Sequence, residues 1–134
     1  MTAENQPLRI MIVEDDETVC EALTTRLTHE GYQVSAATDA ISAVSTARRE
    51  KPQVAVVDIN LPGGKGFDVV RRLERVMSGS GLKIVFMTAS KKPGLRQQAM
   101  SAGAAAYVEK PFTAQTLLAA IDAALASDPP EMFG

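Results

Sequence analysis

The chain of 134 residues reads as an α/β protein: a doubly wound, five-stranded parallel sheet with five helices, flavodoxin-like in its strand order 2-1-3-4-5. Three observations predict this. Short runs dense in Val, Ile, Leu and Met alternate with longer segments whose apolar residues recur at helical spacing. The short runs are too apolar to leave one face in water, which marks strands covered on both sides by helices. The polar residues that interrupt the pattern fall at the carboxyl ends of those runs, where ligands bind in open parallel sheets.

The elements follow in order. LRIMIV (8–13) is the first strand, and Val19, Leu23 and Leu27 form the stripe of a helix that Gly31 stops. YQVSAA (32–37) is the second strand; Thr38 and Asp39 then read as the cap of a helix on which Ala40, Ala43, Val44 and Ala47 share a face. VAVVD (54–58) is the third, followed by a helix carrying Phe67, Val70, Leu73 and Met77. KIVFMT (83–88) is the fourth, and Leu95, Ala99 and Ala102 mark a helix ending at Gly103. AYVEK (106–110) is the fifth, and Thr113 is the expected N-cap of a last, alanine-rich helix, TAQTLLAAIDAALA. Crossovers between parallel strands are expected to be right-handed. The folded domain is expected over 8–126, with a flexible N-terminal tail at 1–7 and a C-terminal tail or truncated linker at 127–134.

Composition narrows the function classes. A net charge of -2 provides no global basic field for nucleic acid or an anionic membrane. No apolar run approaches the ~18 residues of a membrane span, and the N-terminus has no signal-peptide pattern. One cysteine, Cys20, excludes an internal disulfide framework. A cytoplasmic setting is expected.

The polar strand ends carry the chemistry. Glu14, Asp15 and Asp16 close the first run, Asp58 the third, Thr88 the fourth, and Lys110 followed by Pro111 the fifth. In the expected strand order the winding reverses between the first and third strands, so the carboxylates gather at the switch point. Two carboxylates at ~5 Å repel by roughly 3 kcal/mol at an effective dielectric of about 20. Mg2+, a hard cation taking oxygen ligands, resolves that repulsion, and Lys110 offers a second positive charge. Carboxylates, Mg2+, an amine and a hydroxyl around one further carboxylate suit phosphoryl transfer, with Asp58 as the nucleophile that becomes an acyl phosphate. Each residue alone has a plainer role: helix caps for Asp58 and for the pair Glu14 and Asp15, a solvated lysine, a strand threonine. Those roles do not explain why all converge on one end of one sheet.

Other signals are weaker. GGKG (63–66) lacks the spacing and the following Ser or Thr of a phosphate loop. Asp58-Ile59-Asn60 lacks the second carboxylate of an aspartate-nucleophile phosphatase. Arg48, Arg49, Lys51 and Arg71, Arg72, Arg75 lack interleaved aromatics and read as solvated helix faces. His29 stands alone near a helix C-terminus with no evident metal partner and reads as a cap.

These residues resemble the receiver domain of two-component response regulators over Leu8 to about Ala126. The acidic pair looks like Glu14 and Asp15 in IVEDD, the phosphorylated aspartate like Asp58 in VVDINLPGGKGFDVV, the switch hydroxyl like Thr88 in FMTAS, the lysine and proline like Lys110 and Pro111 in YVEKPF, and the aromatic switch like Tyr107. The resemblance implies Mg2+ on Asp15, Asp58 and the backbone carbonyl of Asn60, with Glu14 acting directly or through water. It implies that Lys110 and Thr88 hold phosphoryl oxygens, that the Lys110–Pro111 peptide is cis, and that Tyr107 moves inward as Thr88 shifts. Asn60 and Ser90 are implied to influence dephosphorylation. Expected partners are a sensor histidine kinase or histidine phosphotransfer protein as donor, and a downstream protein or a C-terminal effector domain as output. A monomer or a phosphorylation-dependent dimer is expected, with no direct nucleic-acid binding by this chain. The domain would catalyse its own phosphorylation and hydrolysis. The last helix carries a single charge, Asp122, so a salt-bridged dimer through it is not expected; it reads as a small-residue face on the sheet or an apolar docking face. The alternative for the whole chain is a receiver-like scaffold that is never phosphorylated.

Overall fold

The computed structural model describes residues 6–62 and 65–127. Most of both expected tails, and Gly63 and Gly64 of the GGKG run, lie outside the described residues. The elements are β1 (Arg9–Val13), α1 (Glu17–His29), β2 (Gln33–Ala37), α2 (Ala40–Glu50), β3 (Val54–Asp58), α3 (Lys65–Val76), β4 (Lys83–Thr88), α4 (Leu95–Ser101), β5 (Ala106–Glu109) and α5 (Ala114–Ala126). All strand pairs are parallel and the order is β2-β1-β3-β4-β5, as the pattern predicts.

The strand sequences explain the layers. Successive side chains point to opposite faces, and both sets are apolar here. Met11, Val13, Ala55, Val57, Ile84 and Phe86 face a core closed by Val69, Val70 and Leu73 of α3 and by Ala43 and Ala47 of α2. Ile10, Ile12, Val54, Val56, Val85 and Met87 face the other core, closed by Leu27 of α1 and by Leu117, Ile121 and Ala124 of α5. β3 is buried along its whole length. β2 departs from the expectation that every strand is buried on both faces: Gln33 and Ala36 are exposed because the strand forms the sheet's edge.

Boundaries differ by about a residue. Leu8 and Tyr32 flank β1 and β2 rather than joining them, while Leu8 still accepts the Gln33 N–H at 2.9 Å. Lys110 lies just past β5, since Pro111 has no N–H with which to extend the ladder. Met77 follows the last residue of α3 but donates its N–H to Leu73 and packs on the first core. The caps follow side-chain chemistry. Asp39 caps α2 with a reciprocal Ser42 bond, and Thr113 caps α5 through the Thr116 N–H. α5 uses its small residues as a close-packed face, with Ala120 and Ala124 buried.

Candidate functional site

Register brings the polar residues together. Val13 pairs with Val57, so the next residues, Glu14 and Asp58, stand side by side where β1 and β3 end. Asp58 pairs with Met87, and Thr88 with Glu109, which sets Thr88 and Lys110 on the adjoining strand ends. Glu14 is fixed through its backbone N–H, which donates to Ala37 at 3.0 Å. Of the three consecutive acids, Asp16 leaves the cluster. It caps α1, its carboxylate accepting the N–H groups of Thr18 at 2.9 Å and Val19 at 3.2 Å. The capping role considered for Glu14 and Asp15 therefore falls to Asp16.

Glu14 and Asp58 are buried, 1% and 5% exposed as whole residues, and Lys110 answers both. Its Nζ lies 2.6 Å from Glu14 Oε1 and 3.1 Å from Asp58 Oδ2. The remaining oxygens are also held: Asp16 N–H donates to Glu14 Oε2 at 3.3 Å, and Asn60 N–H to Asp58 Oδ1 at 2.9 Å. Burial pushes the Glu14 carboxyl up from the ordinary glutamate range, with the Lys110 bond pulling the other way and the Asp58 charge adding to the rise. For Lys110 burial alone would lower the pKa, but its bonds to Glu14 and Asp58 outweigh that and raise it. The ammonium thus stays charged at neutral pH.

Asp15 stands exposed at the rim, and Glu14, Asp15 and Asp58 each bring a carboxylate oxygen within 4.8 Å of the others. One ammonium among three carboxylates leaves the site net negative. Its donors are all hard oxygens, so the set fits Mg2+ and not a soft-ligand metal. The Lys110–Pro111 peptide is cis.

Thr88 is fully buried and its hydroxyl donates to Asn60 Oδ1 at 2.5 Å, while Ser90 N–H donates to Thr88 Oγ1 at 3.0 Å. The sequence reading assigned Asn60 a backbone carbonyl toward the metal and an influence on dephosphorylation, but not this side-chain contact with Thr88. Its signal was present in the amide two residues past Asp58. Tyr107 is half-buried beside Phe86 in the sheet, and the Arg96 guanidinium lies 5.4 Å from its ring centroid. An apolar groove including Val19, Leu23, Ala89, Pro111 and Phe112 opens beside Lys110. Cys20 is half-buried against the second core, its thiol pushed up by burial, and His29 lies exposed in the last turn of α1.

Among the described residues no helix is long and apolar enough to cross a membrane. The model of the response regulator receiver domain matches residues 10–122. The probable transcriptional regulatory protein TcrX of Mycobacterium tuberculosis is 32% identical over 92% of this chain and 52% of its own length. The response regulator MprA of Mycobacterium leprae is 36% identical over 92% of this chain and 54% of its own. The chain therefore spans about half the length of these relatives. The crystal structure of a putative response regulator from Chloroflexus aurantiacus superposes with a TM-score of 0.82 at 30% identity, covering 91% of this chain and 100% of that one. By the match across 10–122 and by these relatives, the chain belongs to the response regulator receiver domain family.

Proposed function

We propose that this chain is a phosphorylation-controlled switch of a two-component phosphorelay, in which Asp58 takes a phosphoryl group from a phosphohistidine on a sensor kinase or a histidine phosphotransfer protein. The observation that carries the reading is Asp58 itself: a buried carboxylate at a strand end, held by Lys110 at 3.1 Å and by the Asn60 N–H at 2.9 Å, with two further carboxylates within 4.8 Å.

Asp58 offers a carboxylate oxygen to phosphorus; an O–P bond forms as the N–P bond breaks, and the imidazole leaves with that electron pair, neutral because its other nitrogen carries a proton. Bound at Asp15, Asp58 and the Asn60 carbonyl, with Glu14 direct or through water, Mg2+ would neutralise charge on the transferring oxygens. Lys110 exchanges its bond to Asp58 for one to a phosphoryl oxygen, which its short reach permits. Thr88 turns its hydroxyl from Asn60 to another phosphoryl oxygen, and Tyr107, one strand over, follows inward. The surface made by α4, β5 and α5 changes, and a downstream protein or an effector domain reads the change. The donor protein rests on the apolar groove beside Lys110. The receiver domain occupies residues 8–126, works in the cytoplasm as a monomer or phosphorylation-dependent dimer, and catalyses its own phosphorylation and hydrolysis.

The test is intact mass with a small-molecule phosphodonor and Mg2+, on the wild type and on Asp58→Asn. A single phosphoryl adduct that requires Mg2+ and is absent from the variant is expected. If none forms, and NMR with BeF3- shows no change at the site, the unphosphorylated scaffold is the correct reading.

A further inference from the structure

The helices α2 and α3 pack side by side and leave a surface groove of about 520 Å3 that none of Glu14, Asp15, Asp58, Thr88 and Lys110 lines. On α2 its lining residues Ile41, Val44 and Arg48 are spaced by three and four, and on α3 Arg75 and Val76 lie three and four residues after Arg72, so one face of each helix borders the groove. Ile41 is 78% exposed, the most exposed large apolar side chain among the described residues. No carboxylate lines the groove.

The charges are distinctive against a chain of net charge -2. Neighbouring arginines are paired, Arg49 with Glu50 and Arg71 with Asp68, whereas no ion pair among the described residues reaches Arg48, Arg72 or Arg75. Glu74 is turned the other way, its carboxylate lying against Gly103. Three cations around an apolar floor of Ile41, Val44 and Val76 therefore lack a counter-charge. We propose that this groove docks an acidic amphipathic segment of a protein partner, its apolar residues spaced three and four apart and flanked by Asp or Glu.

Two other occupants fit worse. A symmetric contact with a second copy would set the same three arginines against each other. Nucleic acid would leave Ile41 unrewarded, and the groove has no aromatic ring on which a base could stack. The proposal is independent of chemistry at Asp58, so it is tested on unphosphorylated protein without Mg2+.

The probes are three synthetic helical peptides of one length: leucines at the stated spacing with a Glu rim, the same leucines with a Lys rim, and the Glu peptide scrambled. Binding is read by NMR shift changes on the 134-residue chain. The Glu peptide alone is expected to bind, shifting α2 and α3 and weakening as salt rises. Arg72→Glu, Arg75→Glu and Ile41→Ser, all at exposed positions, should each raise its Kd about fivefold or more, with amide spectra elsewhere unchanged. Equal binding of the Lys peptide, shifts outside the groove, or no binding of the Glu peptide overturns the proposal. So does self-association in sedimentation that Ile41→Ser abolishes, or tighter binding to duplex DNA or phosphatidylserine vesicles that the arginine reversals abolish.

Discussion

A methyl group added at Gly66 would fall 2.3 Å from the Asp58 carbonyl oxygen and 2.7 Å from Ile59 Cα. Both are backbone atoms and cannot swing aside, and Gly66 N–H also donates to the Ile59 carbonyl at 2.8 Å. The start of α3 is thereby pressed against the strand end that presents Asp58. Alanine favours a helix interior over glycine by about 1 kcal/mol, but the overlap outweighs it. Gly66→Ala is expected to cost about 1–3 kcal/mol in urea unfolding, the scale of an overpacked site, and to shift the Asp58 amide resonance; unchanged stability would mean that the turn yields freely. Lys110 is constrained by charge instead. Lys110→Met removes the ammonium shared by Glu14 and Asp58, whose side chains are 1% and 7% exposed. Burying a carboxylate without its partner costs about 1–3 kcal/mol, and a loss of that size at neutral pH is expected; no loss would show that water already screens the pair.

At the scale of elements, α2 supplies a prediction with a definite sign. The N–H of Ser42 donates to Asp39 at 2.8 Å, and the Ser42 hydroxyl lies 3.3 Å from the Asp39 N–H. The Ser42 backbone bond, then its side chain, hold the Asp39 carboxyl below the ordinary aspartate value. The folded pKa lies below the unfolded one, so the cap's charged contribution is complete above about pH 4 and is lost as pH falls through the folded value. A carboxyl titration by NMR should find an Asp39 midpoint below about 3.9, and Asp39→Ala should loosen α2 amide protection at neutral pH but much less in acid. An ordinary midpoint would remove the ionic part of the cap. This cap was legible in sequence because Asp39 stands alone before a periodic segment. The cap of α1 was not, because Glu14, Asp15 and Asp16 are consecutive and only the turn of the chain decides which carboxylate faces the first N–H groups. Strands β1, β3 and β4 were legible from unbroken apolar runs, and so were the residues at their ends. The bond from Thr88 to Asn60, at 2.5 Å, and the meeting of Arg48 with Arg72 and Arg75 were not. They depend on strand register and helix rotation, which separate sequence windows do not contain.

The whole molecule balances two cores against a site that opposes the fold around it. Every strand end contributing to the site is anchored by buried residues, with Val54 to Val57 at 0% exposure leading into Asp58, so the carboxylates cannot retreat from one another. Three like charges within 4.8 Å, of which the one ammonium of Lys110 offsets only part, therefore subtract from global stability. At that distance and an effective dielectric of about 20 each pair repels by roughly 3 kcal/mol. Asp15 is exposed, which reduces its share to about 0.5–1 kcal/mol through solvent screening. Asp15→Asn should then be more stable than the wild type by that amount in Mg2+-free buffer. Mg2+ at 100 times its Kd should stabilise the wild type by about 2.7 kcal/mol, and the variant, lacking one of the proposed carboxylate ligands, by much less. The order of stabilities is expected to invert as Mg2+ is added, with Tm differences of about 3–5 °C per kcal/mol. Thermal unfolding of both proteins across a Mg2+ series measures this directly. Curves that stay parallel would mean that Asp15 does not bind the cation, and equal stabilities without Mg2+ would mean that it does not repel its neighbours; a crossing would establish both.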